Sequence, residues 1–492
     1  MYRQNRHRNV TSIELQEFTG GLNYLLPADL LKPNECTILD NLVYDPVSGI
    51  LSTRPSFRLI HKLSNVRGAY FTNNVIYIIA GSSLYTCINE TVTEQATGID
   101  GLSPIVRFAE WDDGLLIAAG GDLNYYKNYA LTKTTAKDVL NANINADHVF
   151  VRAGRVILAR TGSDTLYYSG IANHTNWTYG SNAADAKYIE IGYKDGGDIA
   201  AILNLSQDVI IFKTNGNIYR LIGEYPEWQC VEISRGLPCI KGSALSHFNS
   251  AIFLTTQGIM ALDTVQAYGD IQVRNGIGAK INKALINLLM GQTATISYSP
   301  LMGSLFVNIS ARDEVFVMSA TYGAFTKWQL PFIPVTCGDT EGKSWYIGTN
   351  GLYLADYGNA EDIIDYEETA DDNNNPITVS ITSEISSYLK TKTFRNPYEW
   401  LVKRILVGAK PLQKGVATIR IDRLEHTIET GTDSHVAFTD DDFVYSDIEP
   451  LVNTTWQDFK FTDVWRGRDL IVEVIGKGRI CVKLYIDVAQ IG

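Results

Sequence analysis

The sequence predicts an all-β protein whose greater part is a β-propeller, and three observations carry that prediction. A strand–turn–strand unit recurs at intervals of about forty residues. Turn dipeptides such as Asn-Gly, Asp-Gly and Ala-Gly punctuate it, and glycine there accepts a positive φ at little steric cost. The composition, with 27 Tyr, 17 Phe and 40 Gly in 492 residues, leans towards strands and tight turns.

The first copy reads Gly68–Phe71, a polar turn, Val75–Ile79, a Gly-Ser-Ser turn and Leu84-Tyr85. The second reads Val106–Ala109, Asp112-Asp113-Gly114, Leu115–Ala118 and Leu123–Tyr125, and the third His148–Val151, Val156–Ala159 and Leu166-Tyr167. A fourth follows in Ile199–Leu203, Val209–Phe212 and Ile218-Tyr219, and a fifth in Ala244–Phe248, Ala251–Leu254 and Ile259-Met260. The sixth is degenerate (Ile296–Tyr298, Leu305–Val307, Val315–Val317), and the seventh recovers the pattern in Trp345–Gly348 and Leu352-Tyr353. A single meander cannot bury both of its faces, so radial stacking of neighbours is the natural solution at this period. The copies favour seven blades and leave six or eight open. Leu51–Ile60, ahead of the array, is expected to complete the last blade from the other end of the chain. Ala279–Met290, with Ile281, Ala284, Leu285, Leu288 and Leu289 on one face, has a helical period and reads as an insertion between the fifth and sixth blades.

Four regions result. Residues 1–65 form an entrance segment, residues 66–360 the propeller with its helical insertion near 279–290, residues 361–376 an acidic linker, and residues 377–492 a C-terminal β-sandwich-like domain. The linker reading rests on Glu367, Glu368, Asp371, Asp372 and three Asn ahead of Pro376. The last region alternates apolar and polar residues over Thr378–Ile381, Leu401–Val407, Ala417–Ile421, Asp458–Phe461, Leu470–Val474 and Cys481–Ile486.

Charge and motifs exclude several functions. A formal net charge of −12 without a long basic run disfavours a protein that grips nucleic acid through its phosphates. The basic cluster Arg3, Arg6, His7 and Arg8 reads as a solvated terminus. Six cysteines without a C-x-x-C pair read as buried free thiols rather than a zinc or dithiol site. No signal core or apolar run of membrane-spanning length is legible, so the chain is expected in the cytoplasm when made, and Asn-x-Thr triplets such as Asn173–Thr175 are chance matches.

No catalytic, cofactor-binding or metal-binding residue is assigned. Asp371, Asn373 and Asn375 have part of a calcium-loop spacing, but Pro376 stands where the loop needs glycine. Gly338–Ser344 is one residue short of a phosphate-binding loop and runs on into strand. Asp112, Asp113, Asp208 and Asp339 lie on turns, where acidic residues are ordinary turn formers. His148 and His247 fall inside strands without ligand spacing.

The entrance segment is more specific. Phe18-Thr19-Gly20-Gly21-Leu22-Asn23 is followed by Glu35-Cys36, Asp40-Asn41-Leu42 and Gly49-Ile50-Leu51-Ser52-Thr53-Arg54-Pro55-Ser56-Phe57. This pattern resembles the tail hub or nozzle proteins of short-tailed bacteriophages, also called tail stabilisation proteins, the podovirus tail tube protein family. The likeness extends to the order of entrance, degenerate propeller and closing β-domain, in which Trp465–Arg468 leads into Ile471–Gly476. The resemblance implies a non-enzymatic structural protein of the virion tail, made in the host cytoplasm. It implies a homohexameric ring below the portal and head–tail adaptor that continues the DNA ejection channel and contacts fibre, spike or needle proteins. Genomic DNA would then pass transiently, without specific binding, through an acidic lumen. The alternative is a carbohydrate-binding or glycoside-hydrolysing propeller with its ligand in a central pocket.

Overall fold

The computed structural model describes residues 10–15, 18–72, 74–160, 162–205, 208–223, 228–247, 249–265, 270–274, 276–357, 359, 361–370, 376–409, 415–422, 424–430, 455–459, 466–482 and 484–491. The amino-terminal basic cluster, the Asp371–Asn375 spacing and Trp465 lie outside them.

Seven antiparallel meanders stand in a ring. Blade 1 comprises Val66–Thr72, Val75–Ala80, Ser83–Ile88 and Thr91–Thr97, and blade 2 comprises Arg107–Trp111, Gly114–Ala118, Leu123–Lys127 and Ala130–Thr134. Blade 3 has Ala146–Arg152, Arg155–Arg160, Thr165–Tyr168 and Lys187–Glu190, and blade 4 has Ile199–Leu205, Asp208–Lys213, Ile218–Ile222 and Gln229–Ser234. Blade 5 has Cys239–His247, Ser250–Thr255, Gly258–Val265 and Asp270–Arg274, and blade 6 has Ala294–Ser299, Ser304–Ile309, Glu314–Ser319 and Phe325–Gln329.

Blade 7 takes Pro334–Thr340, Lys343–Gly348 and Gly351–Asp356 from one part of the chain and Ser56–Lys62 from another. The closing strand pairs antiparallel, with Arg58 opposite Leu354 and Phe57 opposite Ala355. It begins later than the expected Leu51–Ile60 because Pro55 breaks the run. Leu51–Thr53 pairs instead with Leu42–Tyr44 and Cys481–Val482.

The second strand of each blade lies between neighbouring blades and is apolar on both faces. Asp208–Lys213 is buried at every position after the first, whereas the outer strand Thr91–Thr97 is exposed or half-buried throughout. Seven apolar clusters form, one at each blade interface. The cluster between blades 7 and 1 joins Trp345, Ile347 and Leu352 to Val66, Ile76 and Ile78, so the seam carries the same packing as the other interfaces. The helix Asn282–Leu289 lies between blades 5 and 6, buries Leu285 and Leu289, and packs on Gly258–Val265.

The acidic stretch is strand. Glu361–Ala370 pairs antiparallel with Pro376–Glu384, which extends the blade 7 sheet beyond Ser56–Lys62. Ile363, Ile364 and Tyr366 interrupt its acidic residues, and Asp362 is buried as the partner of Arg54, an interaction that composition cannot disclose.

The C-terminal strands do not assemble from residues 377–492 alone. Glu35–Asp40 joins the outer strand of blade 6 to Ser386–Thr391, and the sheet continues through Glu473–Lys477 and Gly415–Ile421 to Leu424–Thr430. In a second sheet Leu484–Ile491 lies between Phe394–Ala409 and Val10–Leu15. Leu389, Ile419, Val472 and Val474 share one core with Leu22, Leu39, Leu42 and blade 6 residues such as Leu305 and Phe325. Entrance, propeller and C-terminal layer are therefore continuous.

Candidate functional site

The residues that make the entrance segment distinctive form two networks that together clamp it in place. Gly20 and Gly21 are required by close approach. A Cβ on Gly20 would lie 2.7 Å from the Asn34 carbonyl oxygen, and one on Gly21, whose φ is +70°, would lie 2.7 Å from the Phe325 amide nitrogen. The following Asn23 side chain donates to Glu35 Oε2 at 3.0 Å, and that oxygen also accepts from the Lys32 amide at 3.0 Å. Lys280, from the turn before the helix, lies 2.9 Å from Glu35 Oε1 and donates to the Gly20 carbonyl at 2.7 Å. Burial opposes the Glu35 charge, but the hydrogen bonds from Lys32, Lys280 and Asn23 outweigh it and hold the carboxyl below its ordinary value.

Asn41 and Arg54 form the second half of the clamp. Asn41 donates to the Ser386 carbonyl at 2.7 Å, and its Oδ1 accepts from Arg54 Nε at 3.1 Å and from the Gln329 amide at 2.8 Å. Arg54 meets Asp362 with both guanidinium ends, Nη1 to Oδ1 at 2.9 Å and Nη2 to Oδ2 at 2.6 Å, with both side chains 3% exposed or less. Its remaining donors reach the Pro55 and Gln329 carbonyls, and Asp362 Oδ1 also accepts from the Phe57 amide at 2.8 Å. One bidentate pair thus joins the entrance, the outer strand of blade 6, the closing strand of blade 7 and the acidic strand.

Side chains cross the propeller bore where its inner strands begin. Asp147 of blade 3 is paired with Lys241 of blade 5 and accepts from Ser103 Oγ at 2.8 Å. Arg107 of blade 2 lies against Gly242 of blade 5 from across the ring, where a Cβ would come within 2.6 Å of its Nη2. His148 bonds the Ala200 carbonyl of blade 4 at 3.2 Å, and Arg67 of blade 1 donates to the carbonyls of Gly101 and Ser103, each at 3.0 Å. Burial, and next the Arg107 charge, push the His148 pKa down to about 4, so the ring is neutral at pH 7. Burial also lowers the Arg107 pKa, opposed by the Asp147 charge. Nothing in the sequence marks this plug, because its members are spread over five blades at positions whose neighbours are ordinary strand residues.

The sequence-derived candidates do not converge. Asp112 and Asp113 hold φ of 44° and 57° in the first hairpin of blade 2, and Asp112 pairs with Lys127 at 3.0 Å. Asp208 pairs with Arg220 at 2.6 Å in blade 4. Asp339 accepts from Ser299 Oγ at 2.6 Å and the Leu301 amide at 2.7 Å, tying blade 7 to blade 6. His247 packs edge-on against Tyr298 with ring centroids 4.3 Å apart. Gly338–Ser344 spans the first hairpin of blade 7, so its glycines turn and thin a strand pair and form no cradle. Cys36, Cys87, Cys239 and Cys337 are buried free thiols and Cys230 is half-buried. Among the described residues there is no cluster of metal-ligating side chains, and no helix is long and apolar enough to cross a membrane. A cleft of about 740 Å³ opens at the seam between blades 7 and 1, lined among others by His61, Lys62, Tyr85, Tyr353 and Asp365.

No family model matches the chain, and no curated protein matches its sequence. Solved structures similar to it include the β-propeller domain of Cps50 (Swd1) from Myceliophteria thermophila, at 9% identity over 60% of this chain and 98% of that one, with a TM-score of 0.42. The N-terminal domain of Nup159 is similar at 9% identity over 65% and 99% of the two chains, with a TM-score of 0.41. The extracellular domain of a one-component system from B. thetaiotaomicron is similar at 12% identity over 81% and 58%, with a TM-score of 0.46. By its own sheet topology the chain is an all-β protein built on a seven-bladed β-propeller.

Proposed function

We propose that the protein is a structural, non-enzymatic component of a short-tailed phage virion, a nozzle ring below the portal and adaptor through which the genome leaves. The observation that carries this reading is the entrance segment: the residues on which the resemblance rests, Gly20, Gly21, Asn23, Glu35, Asn41, Arg54 and Phe57, are spent on two contact networks that fasten the entrance to its neighbours. A motif committed to holding a scaffold in shape suits a mechanical part. Because Arg107, Asp147 and Lys241 cross the bore of each propeller, the conduit in this reading is the space enclosed by six copies. The net charge of −12 favours DNA sliding past such a wall over sticking to it.

A glycan-processing propeller would need accessible carboxylates at the bore. Asp147, the carboxylate in the plug, is 3% exposed and engaged by Lys241 and Ser103, which weighs against that alternative. Native mass spectrometry of the purified chain, alone and with its adaptor, tests the proposal. A six-membered species in either sample supports it, and a monomer in both contradicts it.

A further inference from the structure

Among the described residues the hairpin formed by Glu361–Ala370 and Pro376–Glu384 is anchored near its base. There Ile363 pairs with Arg58, Asp362 is held by Arg54, Tyr366 donates to the Leu59 carbonyl at 3.1 Å, and Asp365 meets Lys62. Tyr366 is nonetheless exposed, and further out Glu367 and Glu368 on one strand and every residue from Thr378 to Thr382 on the other are exposed as well. A two-stranded ribbon exposed in this way has little stability of its own. Among the described residues Pro376–Glu384 is also a sheet edge, paired only with Glu361–Ala370. From Ile377 to Ser383 it reads Ile-Thr-Val-Ser-Ile-Thr-Ser, β-branched and hydroxyl residues without a charge, and the shift in register between the two strands falls between Ile363 and Asp365 of the inner one, so this stretch of the edge carries no charge, proline or bulge of its own.

We infer that this hairpin is an assembly arm that adds its strand Pro376–Glu384 to the outer strand Ala130–Thr134 of blade 2 in a second copy of the chain. Three observations point to that partner among the open blade edges. Ala130–Thr134 is the open edge of its own sheet. Its surroundings expose apolar side chains, Tyr129 at 83%, Val139 at 51% and Leu140 at 85%, which match the exposed Tyr366, Val379 and Ile381 of the arm. Lys133 and Lys137 stand beside that edge, while Glu367 and Glu368 flank the arm, so the two surfaces are opposite in charge. The contact joins different patches on the two copies, as a cyclic ring requires. Blades 7 and 2 are two positions apart in a ring of seven, roughly 100°, close to the about 120° at which a member of a six-fold ring meets its two neighbours. The inference rests on the nozzle reading and names the contact that builds the ring.

The test mixes full-length chains carrying Ile381→Cys with chains carrying Thr132→Cys under mild oxidation and compares native masses of Ile381→Lys and the parent. Disulfide-linked pairs only in the mixed sample, at least tenfold weaker assembly of Ile381→Lys with an unchanged Tm, and recovery of a Glu368→Lys defect by Lys133→Glu are expected. A ring that assembles in all variants without the mixed crosslink overturns this contact and leaves the nozzle reading standing. A parent chain that is monomeric alone and with its adaptor overturns both.

Discussion

Two single residues carry more of the fold than their neighbours. Arg54 and Asp362 are 308 positions apart and almost wholly buried, so removing one leaves a charge that the interior cannot solvate. Arg54→Met is expected to lower stability by about 3–5 kcal/mol, read from urea unfolding at pH 7. His148 gives a pH signature. Its folded pKa of about 4 lies below the ordinary value, so between roughly pH 6.5 and pH 4 the unfolded chain binds a proton that the folded chain refuses. Stability is therefore full above that window and falls as the pH drops through it, by about 3 kcal/mol. His148→Gln, which keeps a donor for the Ala200 carbonyl, is expected to flatten this slope in denaturation curves taken from pH 7 to pH 4. Glu35 acts at lower pH in the same sense: its carboxyl is depressed, so its contribution is lost only as the pH falls below the ordinary carboxylate range.

At the scale of elements, the closing strand Ser56–Lys62 is the most demanding piece. Phe57 is fully buried among Trp328, Phe332 and Tyr346, with ring centroids 5.5 to 6.4 Å away. Phe57→Ala is expected to cost about 3–5 kcal/mol by cavity formation, measurable as a reduced denaturation midpoint with an unchanged m-value. The middle strands of the blades were legible because neighbouring blades cover both of their faces, and such strands read as unbroken apolar runs. The outer strands were not. Thr91–Thr97 (Thr-Val-Thr-Glu-Gln-Ala-Thr) and Ala130–Thr134 present mostly polar side chains to water and have no apolar period to detect. The first strand of blade 7 hid for another reason: Gly338, thinned to admit the Phe71 ring, gave Pro334–Thr340 the look of a loop. The clamp residues were visible as a pattern, but that Arg54 reaches Asp362 and Asn41 reaches Ser386 depends on tertiary pairings that local chemistry does not encode.

For the whole molecule, shared sheets replace separate domains. Glu35–Asp40 bridges blade 6 to the C-terminal layer, Cys481–Val482 pairs with Leu51–Thr53, and the core that contains Val472 also contains Leu22 and Phe325. A chain ending at residue 376 would expose that core and the open side of Glu35–Asp40. It is expected to lose the cooperative unfolding transition of the full chain in calorimetry, whereas a folded propeller with its own sharp transition would show that the layers are independent. The most direct test of the central claim is an electron cryo-microscopy reconstruction of the particles assembled in cells that make this chain. Six copies around the tail axis, below the portal and adaptor, with the DNA path between subunits and each propeller bore crossed by side chains, are predicted; particles without the chain, or DNA threading a single propeller, would contradict the account.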